Sequence, residues 1–202
     1  MYTVVGDPAT RAMRVMWMLE ELGEPYDLVP AAPHSPEVTA LTPSGKVPVL
    51  KVGDRVLTES VAICQFLADR HGKLTFPAGT VERARQDGFT QFSVDVLEGA
   101  LWTAAKNSFI HPKDLRVPAV EPVCAAEFES GLAYLAKTLG DGPFVMGETF
   151  TVPDLLLGHC SRWARAAKFA LPSEGALADY FARVTSRPAL LAAQKRGADA
   201  AS

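Results

Sequence analysis

Apolar positions fall into two regimes along the chain. Up to about residue 75 they form short runs broken by turn formers, and beyond about residue 80 they recur at helical spacing. Tyr2 to Gly6 is a β-branched and aromatic run closed by Gly6-Asp7-Pro8, which predicts a buried strand. Thr10 to Leu22 is dense in helix formers, with Gly23 just past its end as a C-cap signal and Pro25 barring continuation. Tyr26 to Val29 supplies a second short strand, and this β-α-β order predicts a parallel pair with a right-handed crossover. Residues 30–43 are rich in Pro, Ser, Thr and His and predict an irregular segment with room for one helical turn. Val47 to Val52 and Arg55 to Leu57 read as strands joined by Gly53-Asp54, a pair suited to a type II′ hairpin. Glu59 to Arg70 reads as a helix, with Val61, Ile63, Phe66 and Leu67 on its apolar side.

After Pro77-Ala78-Gly79 the strand signals vanish. One helix is predicted from Val81 to Lys106, and another carries Phe128, Leu132, Leu135 and Leu139 on one face before Gly140-Asp141-Gly142-Pro143 ends it. Further helices are expected from about Thr151, over Ala176 to Thr185, and from Pro188 onward. The pattern therefore predicts an α/β domain over residues 1–76, a linker at 77–82 and an all-helical domain over 83–202.

Composition adds exclusions. Apolar residues make up 48% and charged residues 21%, enough for an ordinary core without a staple of metal or disulfide. A formal net charge of -3 offers no basic footprint, so no nucleic-acid partner is expected. No apolar run is long enough to cross a bilayer, and the N-terminus lacks a signal-peptide pattern, so no membrane partner and a cytoplasmic location are expected. Cys64, Cys124 and Cys160 are widely spaced in apolar stretches, as expected of buried thiols in a reducing compartment. His34, His71, His111 and His159 stand apart, so no metal site is expected. There is no Cys-x-x-Cys to carry dithiol chemistry and no Gly-rich phosphate loop.

Four places can carry chemistry, each with a plain structural alternative. Thr58-Glu59-Ser60 opens a helix, where unpaired N–H groups and a partial positive charge suit a carboxylate. A Ser hydroxyl adds a donor there and a Glu accepts from an ammonium, so the pair can clamp the head of an amino acid; capping alone also accounts for these residues. Gly45-Lys46-Val47-Pro48 leads into a strand. A cis bond at Val47-Pro48 would turn the Val47 backbone toward an extended peptide, whereas a plain turn is the simpler reading. In Asp7-Pro8-Ala9-Thr10-Arg11, Thr10 brings the one side-chain hydroxyl to a helix N-terminus, where a thiolate is favoured, though it serves equally as an N-cap. Thr151 and Asp154 form a capping box, with Phe150 and Leu155 as its hydrophobic staple, and this motif is structural.

In order, Arg14-Val15-Met16-Trp17-Met18-Leu19-Glu20-Glu21-Leu22-Gly23, Pro43-Ser44-Gly45-Lys46-Val47-Pro48-Val49-Leu50, Thr58-Glu59-Ser60-Val61-Ala62-Ile63, Phe150-Thr151-x-x-Asp154 and Ser186-Arg187-Pro188-Ala189 resemble the cytosolic glutathione S-transferase family, its bacterial members above all. The likeness runs over essentially the whole chain. It implies a thioredoxin-like N-terminal domain with a mixed four-stranded sheet, an all-α helical-bundle domain after it, a cis Pro48 and a homodimer. Glutathione as co-substrate would pair with the Val47 backbone, with Glu59 and Ser60 on its γ-glutamyl head, Lys46 alongside and His34 a weaker candidate for its glycine carboxylate. The thiolate-holding position falls on Ala9 or Thr10. On Thr10 the hydroxyl holds the thiolate; on Ala9 activation passes to backbone N–H groups or Arg11. The implied activity is attack of that thiolate on a small hydrophobic electrophile, as in detoxification, with Trp102, Phe109, Ile110 and Trp163 as candidate pocket walls. The alternatives are glutathione-dependent peroxide or disulfide reduction in the same site, and a non-catalytic interaction module of the same fold.

Overall fold

The computed structural model describes residues 1–200. Strand β1 (Tyr2–Val5) leads to helix α1 (Ala12–Leu22) and strand β2 (Tyr26–Val29). A one-turn helix α2 (Pro36–Thr39) follows, then strands β3 (Val49–Val52) and β4 (Arg55–Thr58) and helix α3 (Ser60–His71). The sheet order is β2-β1-β3-β4, with β1 parallel to β2 and antiparallel to β3, and β3 antiparallel to β4. This is the mixed four-stranded sheet of a thioredoxin-like domain. The hairpin turns at Gly53, whose φ of 58° suits the first central position of a type II′ turn.

Several boundaries shift by a residue from the sequence pattern, and two shift by two residues. Helix α1 starts at Ala12, not Thr10, because Thr10 is held in a turn: its N–H donates to Asp7 O at 2.9 Å and its hydroxyl donates to the same oxygen at 2.6 Å. Strand β3 starts at Val49, not Val47, since Pro48 has no N–H to give a ladder.

The helical unit runs from Ala78 to Thr185. The single helix expected from Val81 to Lys106 is instead α4 (Val81–Phe92), a π-helical segment Ser93–Glu98, α5 (Gly99–Ala105) and a second π-helical segment Lys106–Ile110. Around both segments, side chains compete for the helical carbonyls. Thr90 donates to Gln86 O and Ser93 to Phe89 O, while Asn107 donates to Thr103 O and Ser108 to Ala104 O. Helix α6 (Glu121–Thr138) buries Phe128, Leu132 and Leu135, with Leu139 just beyond, as their spacing predicts. Helix α7 (Val152–Ala166) opens on the Thr151–Asp154 capping box. Asp154 is fully buried and also accepts from the Val145 N–H at 3.0 Å and from the Tyr180 hydroxyl of α8 (Ala176–Thr185) at 2.9 Å.

The last helix, α9 (Pro188–Ala200), follows the helical unit in sequence, and a boundary drawn along the chain assigns it there. By its contacts it belongs to the first unit, where it packs on α1. Arg187 forks onto the Glu21 carboxylate at 2.5 and 2.6 Å, and the Arg196 guanidinium lies 4.3 Å from the Tyr26 ring centre while donating to the Tyr26 carbonyl at 2.7 Å. Sheet, α3 and α9 thus bury α1 from several sides, and all eight residues from Ala12 to Leu19 are buried.

Candidate functional site

Strand register brings three separate stretches of sequence to one edge of the sheet. Val5 pairs with Val49 and Val49 with Thr58, so the residues just beyond these pairs are neighbours. They are Gly6, which opens the first loop; Pro48, which precedes β3; and Glu59, which follows β4. The approach is close: a Cβ added to Gly6, whose φ is 152°, would stand 3.0 Å from the Ala12 Cβ and 3.1 Å from the Val47 Cβ. Only glycine lets the first loop leave the sheet so near Val47.

The Val47–Pro48 bond is cis, and Val47 packs against the buried cluster of Val5, Ala31, Val38 and Val49. Lys46 is exposed beside it. His34 has φ 64° and its backbone N–H donates to Gly45 O at 2.7 Å, which lays its ring where a Gly45 Cβ would go.

Glu59 caps α3 with φ 66° and ψ 106°, a region that a residue with a Cβ rarely adopts. Such conformations persist where the surroundings over-determine them, and they cluster at ligand sites. Here the strain turns an exposed carboxylate out beside the first N–H groups of a three-turn helix. Ser60 is the first helical residue and is 5% exposed. Its Oγ accepts from Arg14 Nη1 at 3.3 Å, and Arg14 is 1% exposed in the first turn of α1.

The first loop is closed on itself. The Asp7 carboxylate accepts from Ala9 N–H at 2.8 Å, and Thr10 Oγ1 accepts from Ala12 N–H at 3.2 Å. Thr10 is half-buried, Ala9 exposed and Arg11 half-buried. Cys64 does not compete for the site: burial pushes its thiol up to about 12, against the pull of the Arg14 guanidinium, and its Sγ contacts Arg14 O at 3.7 Å.

The helical unit has its own cavity, of about 180 Å³. Phe109 and Trp163 line it with Leu101, Ala104 and Phe169, and Ser108 and Glu121 add polar atoms. Trp102 is not in the lining but packs edge-to-face on Trp163, ring centres 6.3 Å apart. Ile110 is also outside it, 48% exposed at the end of the π-helical segment. Sequence pattern did not indicate Glu121, Phe169 or Arg14. For Arg14 a signal existed, a cation set inside an unbroken buried run.

A mixed sheet of this order, with a cis-proline at the head of β3 and a helix N-terminus beside it, defines a thioredoxin-like fold. Residues 10–70 match the glutathione S-transferase N-terminal domain. Glutathione S-transferase GstA of Escherichia coli O157:H7 is 29% identical over 152 residues, covering 74% of this chain and 72% of that protein. The glutathione S-transferase-like protein gedE of Aspergillus terreus is 31% identical over 170 residues, covering 75% and 74%. Among solved structures, a glutathione transferase from Phanerochaete chrysosporium in complex with oxidized glutathione is similar at a TM-score of 0.83 and 25% identity, over 98% of this chain and 97% of that one. The chain belongs to the glutathione S-transferase family.

Proposed function

We propose that this chain is a glutathione transferase that holds glutathione at the sheet edge formed by Gly6, Val47–Pro48 and Glu59–Ser60. The observation that carries this is the meeting of three donor and acceptor sets suited to a γ-glutamyl peptide. The Val47 backbone stands at the head of a strand and suits pairing with an extended peptide. The α3 N-terminus and the Ser60 hydroxyl supply donors for a carboxylate, and the Glu59 carboxylate accepts from an ammonium. Lys46 and His34 flank the same edge from the β3 side. The chemistry is attack of the bound thiolate on a small hydrophobic electrophile, with Thr10, Arg11 and the first-loop N–H groups as the activating candidates. Phe109 and Trp163 of the aromatic cavity are the wall candidates for that electrophile, with Trp102 and Ile110 in a supporting place. We extend the reading to a homodimer acting in detoxification, as the family likeness implies, and to a cytoplasmic location, which three buried thiols suited to a reducing compartment support.

Calorimetric titration with glutathione tests it. The full chain is expected to bind, and Glu59→Ala to bind roughly tenfold more weakly, as the loss of one hydrogen bond to a charged group implies. Turnover with a reactive aryl halide, set against turnover with a hydroperoxide, then separates conjugation from peroxide reduction. No binding by the unaltered chain removes the reading.

A further inference from the structure

We propose that Arg14 is a positioning residue for the γ-glutamyl carboxylate of glutathione, acting through Ser60; this rests on the glutathione reading above. A guanidinium has donors and no acceptor, so in the 3.3 Å contact between Arg14 Nη1 and Ser60 Oγ the serine oxygen accepts. The serine's single proton is thereby left to point elsewhere. Other hydroxyls of this chain spend that proton on their own helix: Thr90 on Gln86 O, Thr138 on Tyr134 O and Thr185 on Phe181 O. Ser60 makes no such bond, and its donor stays with the first N–H groups of α3, a donor set that takes a carboxylate.

The charge of Arg14 acts in the same direction. At 1% exposure the guanidinium is out of water, so its field is little screened over the few ångströms to the helix start. The buried cation thus turns the Ser60 proton away from itself and adds attraction for an anion without touching it.

The test is calorimetric binding of two ligands, glutathione and an analogue lacking only the γ-glutamyl α-carboxylate, to the full chain and to Ser60→Ala, Arg14→Met and the double variant. Arg14→Met is expected to weaken glutathione binding about tenfold and to leave the analogue's affinity unchanged. The double variant is expected to bind glutathione no more weakly than the weaker of the two single variants. A merely structural role predicts equal losses for both ligands and additive effects, and either result overturns the proposal. Where Arg14→Met does not fold, Arg14→Gln, which removes the charge, carries the test: a loss confined to glutathione supports the proposal, and no loss or an equal loss for both ligands overturns it. A chain that binds neither ligand removes the glutathione reading and this inference with it, whereas normal glutathione binding by Arg14→Met removes this inference alone.

Discussion

Replacing Thr10 with Val deletes one hydroxyl and keeps the β-branched shape, which separates the hydrogen bond from packing. In the structure that hydroxyl is engaged: it donates to Asp7 O at 2.6 Å and accepts from Ala12 N–H at 3.2 Å. To serve a glutathione thiolate it must turn its proton away from Asp7 O. That exchanges a neutral hydrogen bond worth about 1 kcal/mol for one to a charged acceptor worth roughly 1.5–3 kcal/mol. The net gain is on the order of 1.4 kcal/mol, equivalent to about one pKa unit on the bound thiol. Thr10→Val is therefore expected to raise the pH at which bound glutathione shows thiolate absorbance by about one unit, and Thr10→Ser to leave it near its original value. Turnover at neutral pH should fall with the thiolate fraction. The same substitution also strips a partner from Ala12 N–H, so a lowered melting temperature is expected in Thr10→Val whatever the chemistry. An unchanged thiolate titration beside that lowered melting temperature refutes the catalytic role. Thr10 would then be a loop cap, and activation would pass to the loop backbone or Arg11.

Asp154→Ala removes the acceptor of the Val145 and Thr151 N–H groups and of the Thr151 and Tyr180 hydroxyls. Leaving several buried donors unpaired should cost about 3 kcal/mol or more in urea unfolding, against about 1 kcal/mol for Tyr180→Phe. Cys64 carries a sign that can be checked. Its thiol pKa is raised from 9.0 to about 12 by burial, so the stability it contributes is fully present below pH 9 and is lost as pH rises toward 12. Alkaline unfolding over that window should therefore be shallower in Cys64→Ala than in the unaltered chain, and equal slopes would contradict the assignment.

Much of this fold is legible in the sequence because local signals and tertiary packing agree. The breakers at Gly6-Asp7-Pro8, Gly23 and Gly53-Asp54 mark real ends, and Phe128, Leu132 and Leu135 bury as a face. The candidate residues around Val47, Glu59 and Ser60 meet because strand register aligns the ends of β1, β3 and β4. Their juxtaposition is not in the sequence itself; the family likeness supplied it. What the pattern missed came from competition that spacing does not record. Ser93 and Asn107 draw on the carbonyls four residues back, and the predicted single helix passes into π-helical turns there. Phe109 lines the cavity with Trp163 although it is largely exposed, while Ile110 one residue on lies outside it, a distinction that depends on the local winding of residues 106–110.

The return of α9 to the first unit ties residues far apart in sequence together in time as well as in space. Arg187 reaches Glu21 across 166 residues and Arg196 reaches Tyr26 across 170. Gly197 lies against Pro8 so closely that an added Cβ would stand 2.8 Å from the proline ring. During synthesis the sheet and α1 emerge well before α9, and the flank of α1 and the back of the first loop lack that cover until α9 is made. Closing loops of that length is slow, and the uncovered apolar flank is exposed meanwhile. The candidate glutathione-binding residues thus lie within the first 60 residues while the helix behind their first loop begins at residue 188, and a nascent chain stopped between those points carries every one of them without that helix.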